Sequence, residues 1–487
     1  MEVIQTKPHA LLFGYPLLGH IIPSINLAIA LASKGFTITY VNTQAIHHHL
    51  SKAQSDVGDD IFLNSRKSGL DIRYELVSDG LPVQFDRSLN HDQFMASLVH
   101  VLSTHVEELV TKMVRSDHSI TCIIADTFFV WPSAIAKKYG LIYISFWTEP
   151  AMVFTLYRHM DLLREHGHFG SHNNRKDAIN YIPGVPTIEP TDLPSYLQDT
   201  DTSTIVHQLI AKAFEDAKGA DYILCNTVQE LESETISALQ VEKHFYPIGP
   251  IFPLGSPKQT VAASPWTESD CTKWLNTKPA NSVLYISFGS YAHVSKKDLE
   301  EIAKGILLSE VNFIWVLRPD IVSSDDEDPL PAGFLEECKE RGIVVQWCQQ
   351  SAVLSHPSVG GFLTHCGWNS ILESVWCEIP LLCFPLLTDQ FVNRKLVVNN
   401  WKIGIDIIGD QQKSSVTREM VSTKIKLLMW GKLGGELRRE IKKVRNKCET
   451  ALMANGSSHK NLDLFINELK KRAEYGPCQL HAPPVGR

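Results

Sequence analysis

Short apolar runs alternate with longer amphipathic stretches along almost the whole chain, and the runs are of the length expected for strands buried on both sheet faces. In the first half they predict strands at Ala10–Phe13, Phe36–Val41, Ile72–Leu76, Cys122–Ala125, Tyr143–Phe146 and Tyr222–Cys225, with helices between them that include Asp92–Val114 and Pro150–Glu165. A loop-rich stretch with four prolines runs from His168 to Thr202, a composition that suits a lid or pocket wall. Pro247–Pro265 is rich in Gly, Pro and Ser without periodicity and reads as a linker. The alternation then restarts, predicting strands at Val283–Phe288, Phe313–Leu317, Ile343–Gln346, Gly360–Leu363 and Leu381–Phe384, with helices from about Arg418 onward. Strands alternating with helices indicate an α/β fold built on parallel sheets. Two such halves predict two doubly wound domains facing across a cleft, with ligands beyond the carboxyl ends of the strands.

Composition narrows the picture. The 487 residues suffice for two ordinary domains, and 44% hydrophobic with 21% charged residues is globular. A net charge of −8 argues against a large nucleic-acid interface. The one dense charge run, Asp325–Asp328, reads as a solvated loop. Ten cysteines with no C-x-x-C pair disfavour a zinc or thioredoxin site and fit buried thiols in a reducing cytosol. Pro8–Ser33 carries no charged residue, but Gly14, Pro16, Gly19, His20, Pro23 and Asn26 punctuate it as strand, loop and helix, not as a membrane span. MEVIQT lacks the basic region of a signal peptide, so Asn455-Gly456-Ser457 reads as a turn and not a glycosylation site. A soluble, cytoplasmic monomer is expected.

The stretch Trp347–Gln390 concentrates candidate chemistry. The apolar run Val359–Leu363 breaks at His365-Cys366-Gly367 and passes into a helical pattern over Asn369–Val375. A helix opening directly after a buried strand presents unpaired N–H groups suited to a diphosphate. Asn369 and Ser370 lie four and three residues before Glu373, so the three share a helix face, and a carboxylate there can accept two ribose hydroxyls.

This stretch closely resembles the 44-residue signature of the plant family 1 UDP-glycosyltransferases, without a gap. The resemblance implies that Trp347 stacks on uracil and that Gln350 and Glu373 hold the ribose. It assigns His365, Asn369 and Ser370 to the diphosphate and Asp389 with Gln390 to the sugar hydroxyls, and includes Trp368 in the UDP-sugar site. Two features depart from the family pattern: Gln349 replaces the usual Pro, and Glu378, two residues after the bulky Trp376, replaces a small residue that is often Gly. They leave local packing open, while nucleotide binding is expected to survive.

In the first half, GYPLLGHIIPS resembles the family's catalytic P-x-x-G-H segment, with Pro16, Gly19 and His20 retained and Leu18 in place of a frequently polar residue. As a lone histidine, His20 reads first as a helix-start residue bonded to backbone. CIIADTFFVW resembles the strand that ends on the catalytic aspartate, here Asp126, which would orient the imidazole and balance its charge. Thr148 matches a sugar contact and Ser290 a diphosphate contact. One or two of Phe128, Phe129, Trp131, Phe146 and Trp147 are expected to touch the acceptor. His47-His48-His49 reads as an exposed helix start, not a metal site.

The resemblance implies the GT-B fold, with residues 1–250 binding the acceptor, 251–268 linking, 269–457 binding the UDP-sugar, 458–473 returning to the first domain and 474–487 forming a flexible tail. It implies metal-independent, inverting transfer of a hexose, glucose being favoured by Gln390, to a hydroxyl or carboxyl of a small lipophilic plant metabolite such as a terpenoid or flavonoid. UDP-glucose is then a co-substrate, and no cofactor is expected. Two other classes stay open: an NAD-dependent oxidoreductase, against which the absence of G-x-G-x-x-G counts, and a catalytically silent UDP-sugar-binding protein, against which His20 and Asp126 count.

Overall fold

The apolar runs build two separate, wholly parallel sheets. The computed structural model describes residues 7–53, 61–252, 266, 268–322, 329–409 and 415–475. The predicted acidic run, most of the linker and the tail beyond Tyr475 lie outside them. Two compact units result. The first draws its described residues from Met1–Arg158, Asp201–Gly255 and Thr450–Arg487; the second draws them from His159–Thr200 and Ser256–Glu449. The loop-rich stretch of the first half thus belongs to the second unit.

The first unit's strands are β1 (His9–Phe13), β2 (Thr37–Thr43), β3 (Ile72–Val77), β4 (Ile120–Asp126), β5 (Ile142–Trp147), β6 (Tyr222–Cys225) and β7 (Phe245–Pro247). They lie in the order β3-β2-β1-β4-β5-β6-β7. Every residue of β1, β2 and β5 is buried, whereas the edge strand β3 carries the exposed Arg73, Glu75 and Leu76. That contrast follows from helices covering both faces of the inner strands. The predicted helix Asp92–Val114 is two helices, His91–His100 and Leu102–Ser116, interrupted at Val101. The last helix, Ser457–Tyr475, packs on this unit: Phe465 is buried against the Tyr222 and Tyr246 rings. Ser458 Oγ donates to Gly249 O at 2.5 Å, and Arg472 pairs with Asp221 at 2.6 Å.

The second unit's strands are β8 (Val283–Ser287), β9 (Asn312–Val316), β10 (Gly342–Val345), β11 (Val359–Thr364), β12 (Leu381–Cys383) and β13 (Gly404–Asp406), ordered β10-β9-β8-β11-β12-β13. Its core includes Leu284, Phe288, Trp315, Leu363 and Ile425. Each large side chain so buried contributes roughly 1.5–3 kcal/mol. In both sheets the strand order reverses once, between β1 and β4 and between β8 and β11. The crossovers on the two sides of a reversal run in opposite directions, which opens a crevice at the carboxyl ends of that strand pair.

Two glycines near the first reversal behave oppositely. A Cβ on Gly14 would lie 2.5 Å from Ser24 Oγ and 2.7 Å from the Tyr40 hydroxyl, whereas one on Gly19 would meet nothing within 4 Å. Gly14→Ala should therefore destabilise the protein by about 1–3 kcal/mol, and Gly19→Ala, inside the helix Leu18–Ser33, should stabilise it by up to ~1 kcal/mol. Urea unfolding of both variants checks this, and similar midpoints would contradict it.

Candidate active site

His20 and Asp126 meet at the first reversal. After β1 the chain turns into the helix Leu18–Ser33, which places His20 in its first turn, and Asp126 is the last residue of the neighbouring β4. His20 Nδ1–H donates to Asp126 Oδ2 at 2.8 Å. Because a carboxylate only accepts, this bond assigns the ring proton to Nδ1. The other carboxylate oxygen accepts from Phe128 N at 3.0 Å, and the carboxylate is 1% exposed. Nε2 of His20 is left without a partner among the described residues, on a side chain that is 12% exposed. Thr148 is buried, with Oγ1 2.8 Å from His20 Nδ1, so its described contact is with the imidazole. Of the predicted aromatics only Phe128 is partly exposed, and its ring meets His20 edge-on at 5.7 Å; Phe129, Trp131, Phe146 and Trp147 are core.

The second reversal gathers the predicted donor residues of the second unit. Ser290 follows β8, His365 follows β11, and Asp389 with Gln390 lies beyond β12. Trp347, two residues past β10, stacks on Trp266 with centroids 5.3 Å apart. Gln350 Nε2 donates to Glu373 Oε2 at 2.9 Å and lies 3.1 Å from Ser370 Oγ, so the structure ties Ser370 to the predicted ribose pair. Burial pushes the Glu373 carboxyl up to about 7, against the lowering effect of the Gln350 bond. Burial, with the nearby Arg318 guanidinium, pushes His365 down to about 4, so the ring is neutral near pH 7. Gly289, at φ +75°, and Gly367 crowd that ring: a Cβ on either would lie 2.5 Å from Nε2. Asn369 is half-buried on the first turn of the helix Trp368–Trp376, whereas the Trp368 indole is buried beside Trp401 at 5.9 Å.

Asp389 and Gln390 are held by their own loop. Thr388 Oγ1 donates to Asp389 Oδ1 at 2.7 Å and Asn393 Nδ2 to Oδ2 at 2.5 Å. Gln390 Oε1 accepts from Leu386 N and Leu387 N at 2.8 and 3.0 Å, which makes its NH₂ the donor end of the amide. Two strand reversals therefore carry different chemistry, an oriented imidazole on one unit and a set of polar side chains on the other.

Known proteins similar to this chain match nearly all of it. The family model described as UDP-glucoronosyl and UDP-glucosyl transferase matches residues 210–416. UDP-glycosyltransferase 86A1 of Arabidopsis thaliana is 56% identical over 481 residues, covering 98% of this chain and 97% of that protein. UDP-glycosyltransferase 86A2 of the same plant is 59% identical over 463 residues, covering 95% and 94%. The chain belongs to the plant family 1 UDP-glycosyltransferases. Phytolacca americana UGT2, solved with UDP-2fluoro-glucose and pterostilbene, superposes with a TM-score of 0.77 at 26% identity, covering 95% of this chain and 99% of that one. This glycosyltransferase therefore has the GT-B fold and moves sugar from a UDP-sugar to a small acceptor. No helix among its described residues is long and apolar enough to cross a membrane.

Within this glycosyltransferase, the departures at 349 and 378 have a local account. Glu378 is the second residue after the helix Trp368–Trp376 and has φ +59°, the left-handed backbone that explains a family preference for Gly. Its carboxylate accepts from Arg445 at 2.6 Å, and the same guanidinium lies over the Trp376 ring at 5.7 Å. Gln349, in the Pro position, has φ −72° and keeps the backbone a proline would impose. His47, His48 and His49 lie inside the helix Gln44–Ala53 and are half-buried, not at an exposed helix start; His47 is 3.2 Å from the Tyr74 hydroxyl.

Two residues were missed by sequence reasoning. Arg318 is 1% exposed, and its guanidinium donates to Gly289 O and Ala292 O, both at 2.7 Å, on either side of Ser290. Asn393, fully buried, donates to Cys366 O at 2.9 Å as well as to Asp389, tying the turn after β11 to the loop after β12. Arg318 had a signal, a charge directly after an apolar strand; Asn393 had none outside its helix.

Glu373 makes a signed prediction. Its carboxyl titrates near 4.5 ordinarily and near 7 when folded, so the folded state binds more protons between those values. This group's contribution to stability is full below about pH 4.5 and is lost as pH rises through 7. The Glu373→Gln variant should gain stability relative to the parent between pH 5 and 7.5, measured by urea unfolding without ligand. A flat difference would show that the carboxyl is not shifted.

Proposed function

We propose that this enzyme transfers glucose from UDP-glucose to a hydroxyl or carboxyl of a small lipophilic plant metabolite, such as a terpenoid or flavonoid, inverting the anomeric carbon without a metal. The observation that carries this reading is the buried Asp126 carboxylate on His20 Nδ1, which leaves Nε2 basic and available. Nε2 takes the acceptor's proton as the acceptor oxygen bonds to the anomeric carbon. The bond from that carbon to the diphosphate oxygen breaks on the opposite face, and its electron pair leaves with UDP. Asp126 balances the imidazolium that forms.

On the donor side, Trp347 is assigned to the uracil, Gln350 and Glu373 to the ribose, and Ser290, His365, Asn369 and Ser370 to the diphosphate. Asp389 and Gln390 are assigned to the hexose. Charge on the leaving diphosphate is met by the N–H groups opening the helix Trp368–Trp376 and by the field of buried Arg318, which is why we propose no metal. The UDP-2fluoro-glucose in the Phytolacca americana protein supports a glucose donor, and its pterostilbene supports a small acceptor. The half-buried Phe128 ring beside His20 supports a lipophilic one. The nine described cysteines are all free thiols, which supports work in the cytosol. The proposal takes the enzyme to work as a monomer.

His20→Ala should lower transfer to alcohols by about 10²- to 10⁴-fold while UDP affinity stays within about twofold, because the nucleotide contacts belong to the other unit. Rate assays with chelator, product anomer analysis and UDP titration test the whole reading. Loss of activity on chelation, or retained configuration, would overturn the mechanism.

Glu373→Ala should weaken UDP and UDP-glucose alike, by roughly ten- to a hundredfold, as expected for losing a charge-assisted bond. Gln390→Ala should weaken UDP-glucose but not UDP, since its amide is assigned to hexose hydroxyls. Calorimetric titration of both variants with both ligands decides it. Equal loss of UDP affinity in the two would show that the motif does not divide into nucleotide and sugar contacts.

A further inference from the structure

The loop that carries Asp389 and Gln390 is clasped by a segment almost two hundred residues earlier in the chain. Ser195 N donates to Thr388 O at 3.0 Å, and Thr388 N donates to Ser195 Oγ at 2.9 Å. Between those two bonds Thr388 has φ +56°, a left-handed conformation that a β-branched side chain rarely takes. Such a backbone persists only where its surroundings over-determine it. The next two residues are the candidate sugar pair, and Thr388 Oγ1 itself donates to Asp389 Oδ1. The same segment grips the far end of the helix Gln390–Lys395. Asp192 accepts from Arg394 at 2.7 Å and lies 3.1 Å from Lys395 Nζ, while Arg394 also pairs with Asp406 at 2.7 Å. Asp192 is in turn fixed by a capping box with Glu189. The helix that starts with Gln390 is therefore clamped at both ends, one clamp at the residue before the pair.

We propose that Ser195 is a positioning residue for the donor sugar: by holding Thr388 in left-handed backbone it aims Asp389 and Gln390 at the hexose hydroxyls. This rests on the reading that those two residues bind the hexose. The clasp acts directly on the sugar end of the donor site, because the residues assigned to uracil, ribose and diphosphate lie on other loops, with Asn393 the described tie from this loop to the turn after β11. A merely structural role for Ser195 would change thermal stability and leave the preference for UDP-glucose over UDP untouched.

The test is calorimetric titration of Ser195→Ala, Ser195→Thr and Gln390→Ala with UDP and with UDP-glucose. Ser195→Ala should weaken UDP-glucose by about three- to tenfold, the effect of one neutral hydrogen bond, and leave UDP within about twofold. Ser195→Thr keeps the hydroxyl and should restore UDP-glucose affinity. Asn enters left-handed backbone more readily than Thr, so in a Thr388→Asn background Ser195→Ala should cost UDP-glucose less than in the parent. If Ser195→Ala leaves the ratio of the two affinities unchanged while Gln390→Ala alters it, the positioning role is wrong and the sugar assignment stands. If Gln390→Ala also leaves that ratio unchanged, the sugar assignment itself has failed and the proposal falls with it. An equal cost of Ser195→Ala in both backgrounds would show that Thr388 backbone is not the route.

Discussion

The whole arrangement depends on one topological constraint, the single reversal of strand order in each parallel sheet. Parallel strands need long crossovers, and these crossovers keep one hand, so all strands of a sheet point their carboxyl ends the same way. Where the order reverses, the two neighbouring strands send their chains to opposite sides. At β1/β4 the reversal joins His20 to the end of the strand that supplies Asp126, although 106 residues separate them. At β8/β11 it brings the loop of Ser290 beside the turn of His365. Neither pairing needs specific long-range design beyond strand order and register.

Burial then sets the electrostatics of what the reversals collect. His9, the first residue of β1, and His20, in the helix that follows β1, show the difference. His9 is 1% exposed, with Ser119 Oγ 2.9 Å from Nδ1 and Thr39 Oγ1 2.8 Å from Nε2, so neither nitrogen is left for chemistry. Burial also pushes its pKa down. His20 has its orienting partners on one nitrogen only. On the second sheet, neutral His365 can face an anion as a hydrogen-bond donor without adding a charge, while Arg318 contributes charge from behind the Ser290 loop. A carboxyl as little solvated as Glu373 stays partly protonated until something replaces the missing donors, which a pair of ribose hydroxyls would do.

Most strands were legible because a strand covered on both faces is a continuous apolar run, as HALLF and VLYIS are. β7 and β13 were not. Each has three residues, one ending in Pro247 and the other starting at Gly404, too short for any period and carrying residues that argue against strands. The helix break at Val101 was equally hidden, because the apolar pattern runs through it. In the site, the residues of the Trp347–Gln390 stretch were legible as a local block. Of what supports them, Arg318 left only the trace of a charge directly after an apolar strand, and Asn393 and Ser195 left none, because hydrogen bonds to backbone carbonyls and amides leave no pattern in the sequence of either partner. The stretch around Ser195 read correctly as loop-rich; that it belongs to the second unit is a long-range fact with no local trace.

Glu378 shows how a departure from a family pattern is to be read. Taken alone, a non-glycine residue at φ +59° after a helix is a loss of about 1 kcal/mol relative to Gly. The Arg445 ion pair is partly exposed on both sides and contributes only about 0–1 kcal/mol by itself. Yet Arg445 also lies over Trp376, and that cation–ring contact adds roughly 0.5–1 kcal/mol where solvent still reaches it. Trp376 and Glu378 thus share one partner, and their combined gain is of the size needed to offset the backbone cost. The departure at 378 is intelligible only together with Trp376 and Arg445, the latter on the helix Lys432–Leu452, far outside the signature stretch. A motif scored position by position counts a fault at 378, whereas the folded chain contains one compensated contact at the C-terminal end of the helix Trp368–Trp376.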